Sequence, residues 1–110
     1  MISPSVKYCQ HIDNLKNLND KEIERYIQTF PADLESQQEK ILYAASIEYI
    51  CNRKNLEKPN WISDEEFFSA NPIFACNTQN KNFQDFLIKT SPIEYSRRNI
   101  FYGDKILRRA

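Results

Sequence analysis

The sequence has a single glycine, Gly103, in 110 residues. Glycine supplies the positive backbone φ that hairpin turns and phosphate-cradling loops need. Its near absence disfavours hairpin-rich and phosphate-loop folds and points to helices joined by Asn, Asp, Ser and Pro. Cysteine is also sparse. Cys9, Cys51 and Cys76 are odd in number and widely spaced. No CxxC pair occurs, so a secreted disulfide framework is not expected. There is one histidine, His11. HExxH, DxDxDG and glycine-rich phosphate motifs are missing. No long hydrophobic run is present either. The most apolar stretch, Ile41 to Cys51, is broken by Ser46 and Glu48 and is too short to cross a bilayer. The N-terminal residues MISPSVKYCQHID lack the basic-then-apolar pattern of a signal peptide. A cytoplasmic chain without membrane contact is expected.

Net charge is absent as well, with 15 basic and 15 acidic residues. It is unevenly spread. From Arg97 to Ala110 there are five basic residues (Arg97, Arg98, Lys105, Arg108, Arg109) and one acid, Asp104, a local charge of +4 that leaves −4 on the rest. The first expectation is a tail that docks on the acidic body or lies solvated. The second is a tail that meets an acidic partner. Hydrophobic residues make up 41% and charged residues 27%, the balance of a globular chain. Seven Phe, six Tyr and one Trp give a short chain large rings to bury.

Periodicity then places the elements. Val6, Cys9, Ile12, Leu15 and Leu18 predict a helix over 5–18. Asn19 and Asp20 end it and cap the next, where Ile23, Tyr26, Ile27 and Phe30 form an apolar stripe up to Pro31. Ser36 and Glu39 make a capping box for a third helix. That helix is apolar on nearly all faces around 41–51, which predicts a central position. A polar connector over 55–60, with Pro59, is a possible hinge within one domain spanning 1–110. Ser63 and Glu66 repeat the capping-box pattern, with Ile62 and Phe67 as a staple, and predict a short helix over 64–70. Residues 73–80 read as irregular. A helix follows over 81–89, carried by Phe83, Phe86 and Leu87. Ser91, Pro92 and Glu94 start another, with proline at the first helical position. Ile100 to Tyr102 reads as a short extended piece, and Asp104 as the cap of a last turn. The fold class expected is all-α: a compact bundle of five to six helices around a central apolar helix, closed by an irregular aromatic C-terminal segment.

Candidate chemistry is thin. A triad or dyad has to use His11, and Cys9 two residues away points elsewhere on a helix. Pairs with Cys51 or Cys76 are open but unfavoured, since buried thiols usually pack as small hydrophobes. A zinc site from Cys9, His11, Cys51 and Cys76 has suitable ligand types without the short paired spacings. Asp64, Glu65 and Glu66 fit a helix first turn, where acids favour the dipole. No catalytic residue, metal or cofactor is expected. Trp61 reads first as a core ring pinning the connector and second as an interface anchor.

From Lys58 to Ala110 the order of features is Lys58-Pro59-Asn60-Trp61, Glu66-Phe67-Phe68, Phe86-Leu87, Ser91-Pro92-Ile93-Glu94-Tyr95 and Arg97-Arg98-Asn99-Ile100-Phe101. This half of the chain resembles the C-terminal half of a group of small, poorly characterised bacterial proteins that look like antitoxin or regulator components encoded beside a partner. The resemblance implies a non-enzymatic accessory protein whose surface holds a cognate protein, such as an adjacent-gene toxin. Aromatic and arginine residues dominate binding hot spots. The expected partner-binding residues are therefore Tyr95, Arg97, Arg98, Asn99, Phe101 and Tyr102. The alternative is a small nucleic-acid-binding regulator that tracks phosphates with the basic tail.

Overall fold

In the computed structural model, residues 6–34, 36–74 and 81–101 are described, the side chain of Phe83 excepted. Five α-helices carry most of them: α1 (Val6–Leu15), α2 (Asp20–Tyr26), α3 (Gln37–Lys54), α4 (Lys81–Thr90) and α5 (Ile93–Ser96). Two 3₁₀ turns, Asn60–Ser63 and Glu65–Phe67, follow α3. Two short strands, β1 (Ile73–Phe74) and β2 (Ile100–Phe101), complete the order.

The predicted stripes face inward. Tyr8, Ile12 and Leu15 of α1 are buried, as are Ile23 of α2 and Ile27 beyond it. Every residue of α3 from Ile41 to Glu48 is buried, and so is Cys51. A helix apolar on all sides has no face to give to water, so its neighbours must surround it. Ala44 and Ala45, fully buried, keep α3 thin where those neighbours approach.

Several termini differ from the sequence pattern. The reciprocal capping box forms at α2, where Asn19 N donates to Glu22 Oε1 (3.0 Å) and Glu22 N to Asn19 Oδ1 (2.9 Å). Ser36 is the N-cap of α3 as expected, but its side chain makes no cap hydrogen bond. Ser63 starts no helix. It closes the first 3₁₀ turn, and Asp64 opens the second. Pro92 is the N-cap of α5 and not its first helical residue. The predicted turn capped by Asp104 lies outside the described residues.

Asparagine takes over glycine's role. The described residues with positive φ are Asn55 (59°) and Asn99 (67°). Asn55 ends α3 in the left-handed conformation, and Leu56 N reaches back to Cys51 O at 2.9 Å. Asparagine is the residue other than glycine that tolerates this region best. The connector beyond is tied down. Glu57 N donates to Glu24 Oε2 at 2.8 Å, and Pro59 is buried.

Aromatic rings seal one side of α3. Phe30, Tyr43, Trp61 and Phe67 meet with centroids 4.8–5.9 Å apart. Trp61 Nε1 donates to Ile27 O at 2.8 Å, so the ring fastens the connector to the end of α2. Such a ring is apolar over most of its area and polar at one edge, which suits this half-buried position.

The fold departs from all-α in one place. β1 and β2 pair in parallel, with Ile73 opposite Ile100 and Phe74 opposite Phe101. Ile73 N donates to Asn99 O at 2.8 Å. A parallel pair needs a crossover, which runs here through the segment containing α4 and α5. Ile100 and Phe101 are extended as predicted, whereas Ile73 and Phe74 lie in a stretch read as irregular.

Candidate functional site

Two polar residues interrupt the buried run of α3, and both have partners from the C-terminal part. Ser46 Oγ bonds Leu42 O at 2.9 Å, Tyr95 Oη at 2.8 Å and Tyr8 Oη at 2.6 Å. One hydroxyl therefore joins α1, α3 and α5. Glu48 faces the two arginines after α5. Arg97 grips it with two parallel bonds, Nε to Oε1 and Nη2 to Oε2, each 2.8 Å. Arg98 Nη2 lies 3.4 Å from Glu48 Oε1 and donates to Ile62 O at 2.8 Å, while Nη1 donates to Phe67 O at 3.1 Å. Arg98 is 0% exposed, and its Nε has no hydrogen-bond partner. Both guanidinium groups lie over the Phe68 ring, at 5.3 Å for Arg97 and 4.6 Å for Arg98.

Desolvation lowers the Arg98 pKa from its ordinary value, and Glu48 opposes that shift. An arginine stays protonated under such pressure, so a buried cation is held by one carboxylate and two carbonyls. The 3₁₀ turns explain why those carbonyls are free to accept. Ile62 and Phe67 lie in short turns that do not propagate into longer helices.

The six residues expected to bind a partner are thus distributed as follows. Tyr95, Arg98 and Phe101 are buried; Tyr95 bonds Ser46, and Phe101 stacks on Phe74 at 5.4 Å. Asn99, half-buried, donates through Nδ2 to Ser69 O at 3.2 Å. Arg97 keeps 40% of its side chain exposed. Tyr102 lies outside the described residues. Arg97 and Arg98, the first two cations of the basic segment, dock inward on Glu48, while Lys105, Arg108 and Arg109 lie outside the described residues.

Exposed apolar residues lie elsewhere. Ile93 on α5 is 67% exposed and Phe86 on α4 is 54% exposed, with Ile88 also exposed. On α4, Leu87 turns inward and is buried. Sequence reading used Phe86 and Leu87 together to place the helix and assigned neither to a face. Adjacent residues sit about 100° apart on a helix, so the pair cannot share one narrow seam. That was the available signal.

The thiols and His11 are apart from this region. Cys51 is buried and donates to Glu57 O at 3.9 Å. Burial pushes its pKa up to about 11, so it stays a thiol at neutral pH. Cys9 is half-buried, and Cys76 lies outside the described residues. His11 bonds Tyr26 and Asp33. Asp64, Glu65 and Glu66 are exposed around the second 3₁₀ turn. Among the described residues no group of three or more His, Cys, Asp or Glu is placed to hold a metal, and no helix is long and apolar enough to cross a membrane.

No family model, curated protein or solved structure matches the chain.

Proposed function

We propose that the chain is a non-enzymatic cytoplasmic accessory protein that binds a cognate protein, in the manner of a bacterial antitoxin component. The carrying observation is the exposure of Ile93, beside the exposed edge of Arg97. Arg97 N donates to Ile93 O at 2.9 Å, so the two residues are one turn apart on the same face. Phe86 and Ile88 stand just before the Ser91-Pro92 step. Large apolar groups next to an arginine are the residue types that anchor protein interfaces. The antitoxin-like character rests on the resemblance of residues 58–110. That surface is supported from beneath: Glu48 and Phe68 hold Arg97, and Tyr95, a buried member of the expected set, anchors α5 through Ser46. The nucleic-acid reading is less favoured, because two of its five cations, Arg97 and Arg98, are already engaged by Glu48.

The test compares capture by the wild-type chain and by Ile93→Asp from lysate of the native cell. Ile93 is largely exposed, so the substitution leaves the fold intact. One stoichiometric protein held by wild type and lost from Ile93→Asp is the expected result. A partner retained equally by both, or no stoichiometric partner, overturns the proposal.

A further inference from the structure

The chain's one histidine is engaged at both ring nitrogens. His11 Nδ1 lies 3.0 Å from Tyr26 Oη, and Nε2 lies 2.8 Å from Asp33 Oδ1. Three stretches supply these groups: α1, the last residue of α2, and the turn after Pro31. Asp33 is held below its ordinary carboxylate pKa, chiefly by the hydrogen bond from His11. An ionised carboxylate only accepts, so a neutral imidazole must carry its proton on Nε2. Nδ1 is then a lone pair aimed at the Tyr26 hydroxyl. A base that faces an O–H and is itself oriented by a third group is the arrangement that activates hydroxyl nucleophiles.

Tyr43 lies on the inner side. Its ring meets the imidazole edge-on, with centroids 6.0 Å apart, and its buried hydroxyl has no hydrogen-bond partner. Burial raises its pKa, and the charges of Tyr26, Tyr8 and Asp33 add to the shift, so Tyr43 remains an O–H donor. On the outer side Tyr26 and His11 are partly exposed and Asp33 is exposed. The three groups thus lie at the protein surface and not in its core.

We propose that Tyr26 is a covalent modification site, a phenol that takes an acyl group from an uncharged activated ester, with His11 as its base and Asp33 positioning His11. As the Tyr26 oxygen bonds to the acyl carbon, its proton passes to His11 Nδ1. Collapse of the tetrahedral adduct breaks the bond to the leaving oxygen, which departs with the electron pair. That oxygen then takes the proton, directly or through water. The products are O-acyl-Tyr26 and an alcohol or phenol, and no oxidant or reductant enters. The electrophile is uncharged because the fixed charge beside His11 is the Asp33 carboxylate. Lys7 also acts on Asp33, but it is the weakest contributor there, behind His11 itself. Phosphoryl donors want a clamp of cations, which these residues do not form.

The test is acetylation of the intact chain by p-nitrophenyl acetate at neutral pH, mapped by peptide mass spectrometry. One acetyl group per chain on Tyr26 is expected, formed about 100-fold faster than on free N-acetyltyrosinamide. His11→Gln can still hydrogen-bond but has no basic nitrogen. It should bring Tyr26 down to the rate of the free phenol. Asp33→Asn no longer fixes the imidazole tautomer and should slow the reaction at least about 10-fold. Acetyl groups scattered over lysines, Cys9 or His11, with Tyr26 no faster than the free phenol, overturn the proposal. So does equal labelling of Tyr26 in wild type and His11→Gln. The wild-type rate against the free phenol decides the matter even where a variant fails to fold.

Discussion

The two ends of the chain are fastened to α3 by different forces. Residues 6–34 reach it mainly through aliphatic and aromatic burial: Ile12, Leu15, Ile23, Ile27 and Phe30. Residues 60–101 reach it through Trp61, Phe67 and Ile100 as well, but around the buried Glu48 carboxylate, which needs specific partners; the Ser46 hydroxyl is shared by both ends. Apolar contacts tolerate small shifts, because burial is non-directional. A buried ion pair does not, because removing one member strands the other. The C-terminal attachment should therefore be the more brittle of the two.

The largest expected effect is at Glu48. Glu48→Ala strands Arg98 inside the protein and should destabilise it by about 4 kcal/mol, read from urea unfolding midpoints. Ile23→Ala, on the N-terminal side, leaves a cavity and should cost about 3 kcal/mol by the same measurement. If Ile23→Ala proves much the more damaging, the contrast between the two ends fails. Ser46→Ala removes the hydroxyl shared by Tyr8 and Tyr95 and should cost about 2 kcal/mol, because two buried phenols lose a partner. The smallest effect concerns pH. The folded-state pKa of Asp33 lies below its ordinary 3.8. Its stabilising contribution is thus complete above that value and disappears as pH falls through the folded-state pKa. Asp33→Asn should flatten the acid limb of a thermal midpoint against pH profile, and an unchanged limb would remove Asp33 from the account.

Much of the helical layout was legible because it depends on local periodicity. The stripes of α1 and α2 and the central run of α3 follow from side-chain spacing alone, although α1 and α2 end at Leu15 and Tyr26, short of the breaks read at Asn19 and Pro31. Capping was less legible. Asn19 and Glu22 close a reciprocal box that the sequence reading did not single out. Ser36 with Glu39 and Ser63 with Glu66 have the pattern but do not form it, since tertiary packing decides where a first turn is free to bond. The pairing of Ile73 with Ile100 joins distant residues, and a two-residue strand carries no period to read.

The surface expectation shows the same division. Arg97, Arg98 and Tyr95 stand out in the sequence as adhesive residue types, and in the fold they serve Glu48 and Ser46. The clue was the pair of polar residues inside an otherwise apolar helix. Buried polar groups require partners, and the arginines and tyrosines were the candidates. The exposed face at Ile93 and Phe86 was hidden because exposure depends on how α4 and α5 seat against the rest.

A double-mutant cycle between Glu48 and Arg98 tests the attachment most directly, using Glu48→Leu, Arg98→Met and the pair together in urea unfolding. The account predicts that the double variant is more stable than Glu48→Leu alone, with a coupling of about 2 kcal/mol or more. Additive single effects, within about 0.5 kcal/mol, would contradict it.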